Sequence, residues 1–194
     1  NQLEDIYLPF RPKRRTRATR ARELGLEPPA IRLLDDDAVS PYQEAERFVG
    51  SDEELPDAEA VLKGARDIIA ERIQEDAELR GKLRALFQRR GTLSSKAAPR
   101  RHGKEVDPEG RYNDYHSWQE AAKSAPSHRV LALLRGEQEG ALTVHLLPGE
   151  EEALRIIEKS YLRGRDERFR QLRLACEDAY KRLLAPSLER DRKS

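Results

Sequence analysis

At 194 residues, 37% of them apolar and 38% charged, the chain can form one domain or two small ones around a modest helical core. A net charge of +1 excludes a uniformly basic protein, so any basic surface is local. The single Cys176 excludes an internal disulfide and a cysteine metal cluster and fits a reducing cytoplasm, and no apolar run approaches the roughly 20 residues of a membrane span.

In LEDIYLPFRPKRRTRATRAR (3–22), apolar and aromatic residues give way after Pro9 to seven cations, Arg11, Lys13, Arg14, Arg15, Arg17, Arg20 and Arg22, with no acid until Glu23. Such a block repels itself unless something anionic lies across it. Pro9 and Pro12 hold Leu8 and Arg11 out of the helical region and remove two backbone donors, so residues 7–13 are expected to run extended before Thr16 turns helical. Two readings stay open. The guanidiniums contact nucleic-acid phosphates, a salt-sensitive and sequence-blind attraction, or the arm is solvated or pairs with acids of neighbouring domains.

Residues 16–34 are expected to form one or two short helices broken by Gly25 and Pro28-Pro29, with Leu24, Leu26, Ile31, Leu33 and Leu34 inward; a connection follows over 35–41. Residues 41–49 read as a short helix, with Tyr42, Ala45, Phe48 and Val49 at helical spacing and Gly50 as its stop. The clearest helix follows Pro56, capped by Asp57, with Ala58, Val61, Leu62, Ala65, Ile68, Ile69 and Ile73 in one stripe. Near Asp76 the register restarts, and Leu79, Leu83, Leu86 and Phe87 make a second stripe. It ends at Arg89-Arg90-Gly91, with the glycine expected in a left-handed cap. Two helices so tightly joined are a helix-turn-helix candidate. Arg80, Lys82 and Arg84 would face phosphates, yet the second helix starts Asp76, Ala77, Glu78, which argues for packing over groove insertion.

Residues 92–98 are read as a short strand and 99–110 as a polar loop with Arg100, Arg101, His102 and Lys104. The aromatic cluster Tyr112, Tyr115, His116 and Trp118 suggests either satellite packing or, beside cations, base stacking. Ser127 is expected to cap a helix carrying Val130, Leu131, Leu133 and Leu134 and ended by Gly136, with a strand as the alternative for so apolar a run. Residues 141–147 alternate, with Leu142, Val144 and Leu146 on one side; this second strand is expected to pair with 93–97 and to stop at Pro148-Gly149. A helix over 150–163 holds Leu154, Ile157, Tyr161 and Leu162 and breaks at Gly164. Asp166 then caps a long helix with Phe169, Leu172, Cys176, Ala179, Tyr180 and Leu183 inward, stopped by Pro186.

The stretch LEDIYLPFRPKRRT (3–16) with ARELGLEP (21–28) closely resembles the Tex family of bacterial transcription accessory proteins. So does Ala125-Pro126-Ser127-His128-Arg129 with Leu131-Ala132, Arg135-Gly136 and Glu139-Gly140, which matches the family's PSHR-x-LA-x-x-RG-x-x-EG signature. The stretch 178–187 is similar to the family's approach to an RNase H-like domain. The resemblance implies a larger protein, with an RNase H-like domain, helix-hairpin-helix repeats and an OB-type RNA-binding domain that do not fit here. Asn1 at the start, the lack of methionine and the charged end at 189–193 read as an internal fragment.

Neither paired histidines nor a glycine-rich phosphate loop is present, so no metal, cofactor or enzymatic reaction is expected. Ser127 and His128 are neighbours on a helix start and diverge, whereas a catalytic pair converges from distant parts of a fold; Ser127, His128 and Arg129 are expected to anchor the loop. The expectation is thus a mainly α chain, a multi-helix orthogonal arrangement with a helix-turn-helix-like pair and a small two- or three-stranded β element. Its segments are a basic arm with lead-in helices (1–40), a helix-turn-helix-like domain with a polar loop (41–128) and a helical region leading toward an RNase H-like domain (129–194). The resemblance implies a cytoplasmic transcription accessory role with weak binding of DNA or RNA and contact with the transcription machinery and with the remaining domains of the same chain. The alternative is a purely architectural, protein-interaction scaffold.

Overall fold

A computed structural model describes residues 15–35, 40–99, 107, 109–162 and 167–193. Residues 36–39 of the expected connection, most of the polar loop, Gly164 and Asp166 lie outside them. In chain order the elements are α1 (Arg17–Glu23), α2 (Glu27–Asp35), α3 (Pro41–Glu46), α4 (Ala58–Glu75), α5 (Ala77–Arg90), β1 (Thr92–Ala97), β2 (Ser117–Ala121), α6 (Ser127–Gln138), β3 (Leu142–Leu147), α7 (Glu150–Tyr161), α8 (Arg168–Asp178) and α9 (Ala185–Lys193). The chain is mainly α with one small antiparallel sheet, as the periodicities predict. Among the described residues no helix is long and apolar enough to cross a membrane.

The chain divides into two compact units, each built from separate stretches. One takes the described residues up to Leu83 together with Glu151–Ser187; the other takes Arg84–Glu150 with the final helix from Leu188 onward.

The first unit is organised around α4. Asp57 caps it by accepting from the Ala60 N–H at 2.8 Å, and Val61, Leu62, Ala65, Ile68, Ile69, Ala70 and Ile73 are buried. Each valine, leucine and isoleucine among them contributes roughly 1.5–3 kcal/mol on burial. The stripe packs against α1, α2, α3, α8 and the segment after α8. Gly64 makes the approach possible, because a Cβ there would stand 2.3 Å from Leu26 Cδ1 and 3.4 Å from Ala21 Cβ.

Several boundaries differ from expectation. Pro28-Pro29 do not break the chain but sit in the first turn of α2, where the absent N–H groups have no intrahelical acceptor to lose; the break is Gly25, at φ 77°. Ile31 and Tyr42 fit the helical period yet are exposed. Pro186 does not stop the long helix either. Between α8 and α9 the chain widens into a π-helical turn, Ala179–Leu184, closed by the Ala185 N–H donating to the Tyr180 carbonyl, and the helical run continues through the proline into α9. Cys176 is fully buried on α8 with its thiol pushed up to about 12 by that burial, so it packs and does not react.

The second unit is built on the sheet, in the order β2-β1-β3 with both pairs antiparallel. Ser95 faces Trp118 on one side and Val144 on the other. Leu93, Tyr112, Leu133, Ala141, Leu142 and Val144 form its core. Gly91 is not left-handed; it is the site of a tight exit from α5, where a Cβ would meet the Phe87 carbonyl oxygen at 2.5 Å. Gly136 does not end α6 but lies inside it, against Leu142 and Tyr112, and the left-handed stop is Gly140 at φ 77°. Leu131, placed inward by its spacing, is 66% exposed.

Candidate nucleic-acid interface

α1 carries the described part of the basic stretch. Thr16 caps it, accepting from the Thr19 N–H at 3.0 Å, and its hydroxyl donates to Glu71 Oε1 at 3.1 Å. Ala18 and Ala21 bury the inner face against α4, so the arginines project from the remaining faces. Arg22 reaches back to Glu71 Oε2 at 2.5 Å and to Glu27 at 3.0 Å. One carboxylate on α4, only 6% exposed, therefore holds both ends of α1.

The neighbouring arginines are also engaged. Arg15 meets Glu23 at 2.8 Å, and Arg20 meets Glu23 at 3.1 Å and Glu54. Hydrogen bonds from Arg15 and Arg20 hold the Glu23 carboxyl below the usual range, and Glu54, followed by Glu23, raises Arg20. For Arg22, burial is the largest single influence and opposes the charge, and the hydrogen bonds and charges of Glu71 and Glu27 together more than offset it. Arg17 differs: it is exposed and forms no salt bridge among the described residues. Arg11, Lys13 and Arg14 lie outside the described residues. A cleft of about 230 Å³ beside Arg22 has Arg72, Glu27 and Glu75 on its rim and Ile31 and Ile68 among its lining residues; its charges of both signs give no preference for an anion.

The helix-turn-helix-like pair offers no row of free cations. Asp76 joins the helices, accepting from the Leu79 N–H at 2.9 Å and from the Tyr161 hydroxyl at 2.9 Å. That bond and burial raise the Tyr161 phenol well above its usual value, burial being the larger cause. Arg80, a candidate phosphate contact in the less favoured reading of the pair, is 2% exposed and donates to the Ser187 hydroxyl, because its position falls on the buried side of α5 beside Leu79 and Leu83. Lys82 pairs with Glu78 at 2.6 Å.

The signature residues divide their roles. Ser127 is not the cap; Pro126 holds that position and Ser127 is the first helical residue, without a capping bond. His128 is exposed. Arg129 is the anchor: it pairs with Glu120 on β2 at 2.7 Å and lies over the Trp118 ring at 5.6 Å, while Tyr115 meets Trp118 edge-on at 6.2 Å. The Arg129 guanidinium thus covers one face of the Trp118 ring. Tyr112 leaves the aromatic cluster for the core, delivered by Asp107, which accepts from the backbone N–H groups of Arg111 and Tyr112 at 3.0 and 2.8 Å.

Sequence reasoning missed Glu71 and Asp107. The signal for Glu71 was an acid three residues beyond Ile68, inside the apolar stripe; the signal for Asp107 was its place before Pro108 and Gly110 in a turn.

The family described as Tex central region-like matches residues 36–191. Protein tex of Bordetella pertussis is 43% identical over 145 residues, 75% of this chain and 18% of that protein. Transcriptional accessory protein Tex of Neisseria gonorrhoeae is 42% identical over 144 residues, 74% of this chain and 18% of that protein. Uncharacterized protein YdcI of Bacillus subtilis is 34% identical over 196 residues, 98% of this chain and 26% of that protein. The chain spans between 18% and 26% of the length of these relatives.

Proposed function

The chain belongs to the Tex family through its central region, and from that premise we propose that it acts as a braced helical scaffold within a Tex-like transcription accessory protein. The observation that carries this reading is Glu71, buried and holding both Thr16 and Arg22. An arginine that left this carboxylate for a phosphate would weaken the compensation of a buried charge, which is costlier than breaking an exposed pair. Arg22, with the Thr16 hydroxyl, therefore fixes α1 to α4. The occupied carboxylate of Asp76 and the buried Arg80 support packing as the role of the helix-turn-helix-like pair. No reaction is assigned to Ser127 or His128, both exposed on one helical turn. The setting that suits this role is the cytoplasm, beside the transcription machinery.

A second reading is favoured by Arg17, exposed and without a salt bridge among the described residues. Together with Arg11, Lys13 and Arg14 upstream in the sequence it supports weak, sequence-indifferent contact with DNA or RNA phosphates. Binding of a labelled duplex and a labelled single-stranded RNA over a salt series tests both readings. Replacing Arg14, Arg15 and Arg17 by Ala is expected to make the log-log salt slope shallower by roughly 0.9 for each duplex phosphate that is no longer neutralised. Replacing Arg22 by Ala is expected to lower thermal stability and leave that slope unchanged. A slope that flattens with Arg22→Ala while stability holds would overturn the scaffold reading; a slope that ignores the triple change would remove the arm as a phosphate-binding element.

A further inference from the structure

The two edges of the sheet are treated differently. On β3 the outward amides are covered by carboxylates: the Leu146 N–H donates to Glu189 Oε1 at 2.8 Å and the Val144 N–H to Glu137 Oε1 at 3.4 Å. On β2 the alternation is fixed by the Ala122 N–H donating to the Gly91 carbonyl at 2.9 Å and by the His116 carbonyl accepting from the Ala97 N–H at 3.3 Å. Residues 116, 118, 120 and 122 therefore bond toward β1, and the N–H and C=O groups of Ser117 and Gln119 point away from the sheet. Among the described residues nothing meets them, and both residues are exposed. The strand itself is held firmly, because Arg129 grips Glu120 and covers Trp118.

We propose that the β2 edge accepts an extended, acidic segment of another protein as a fourth strand. Alternating donors and acceptors at ladder spacing are matched by a second main chain, whereas phosphates only accept. Charge selects the segment. Lys96 stands in register with Ser117, Lys123 follows the far end of the strand, and both are exposed and form no salt bridge among the described residues. Of the nearby acids, Glu120 is already paired, and Asp114 lies before one end only. A second copy paired antiparallel through Gln119 would bring the Lys123 of each copy toward the Lys96 end of the other, so self-pairing is disfavoured.

The test is amide hydrogen exchange on this chain, with an octapeptide of alternating glutamate and valine as the probe. The expected result is exchange slowed by about tenfold or more at Ser117 and Gln119 at saturating peptide, with Val144 and Leu146 unchanged. Gln119→Pro is expected to abolish binding, since the N–H it removes faces outward, while protection of the β1 ladder at Leu93 persists. The proposal is overturned by no response at Ser117 and Gln119 or by protection at Val144 and Leu146 instead. It is equally overturned by equal binding of a lysine-valine peptide, by concentration-dependent protection without peptide, or by the same protection from a DNA duplex alone.

Discussion

The helical unit and the sheet unit meet the same problem, a chain rich in charge and short of apolar residues, in different ways. Around α4 charged and polar side chains are drawn inside: Glu44, Glu71, Arg80, Arg168 and Gln171 are all buried, and Arg168 donates to the Leu33 carbonyl at 3.0 Å near the end of α2. Around β1 the interior is almost wholly apolar and close-fitting, with Gly136 admitting Tyr112 and Leu142. Charge works at the margin there, covering one sheet edge and leaving the other open. The contrast shows that a high charge fraction does not by itself make a binding surface. In the helical unit most of the described arginines of the basic stretch have structural partners.

The sharpest way to break the comparison is to open the apolar stripe. Ile69→Ala is expected to cost about 2–5 kcal/mol in urea denaturation, because Ile69 is fully buried where α4 meets its neighbours. A near-neutral result would mean that polar braces, not the stripe, hold the helical unit.

Glu71→Gln is expected to cost about 2 kcal/mol, between the cost of an exposed pair and that of breaking a fully buried one, since Glu71 is buried and Arg22 partly exposed. High salt is expected to leave that loss largely intact, whereas removing the exposed Arg15 guanidinium moves the melting transition little. Equal, salt-sensitive effects at the two sites would erase the distinction between bracing and surface arginines.

In the sheet unit the matching change is Gly136→Ala, which brings a Cβ to 2.7 Å from Leu142 Cδ1 and 2.9 Å from the Tyr112 ring. Overpacking of this kind is expected to cost about 1–3 kcal/mol, read by thermal melting and by faster amide exchange at Leu142. An unchanged melting profile would show that the small core yields.

The smallest effect is a difference in sign. The Tyr112 hydroxyl, then Arg135, depresses the Glu139 carboxyl, so its stabilisation is present above the ordinary glutamate value and is lost as pH falls through the lowered one. Burial raises Asp67 despite Arg182 at 3.1 Å, so its contribution is present below the ordinary aspartate value and is lost as pH rises through the raised one. Carboxyl-carbon titration by NMR is expected to place the two midpoints on opposite sides of their ordinary values; a shared direction would contradict the assignment.

The sequence by itself determined the period, and through it the mainly helical class, the cap at Asp57, the pairing of the two alternating runs at β1 and β3, and the family signature. These are local, set by spacing and side-chain chemistry within a few residues. Only the tertiary structure decided what each charge does. Arg22, Arg17 and Arg80 are the same residue type in similar surroundings of sequence, yet one is clamped by a glutamate 49 positions away, one is exposed and one is buried. Gly136 and Pro186 likewise read as stops because punctuation is judged locally. Whether a glycine ends a helix or admits a neighbour, and whether a proline breaks a helix or is absorbed by a wider turn, depends on what packs against it from far along the chain.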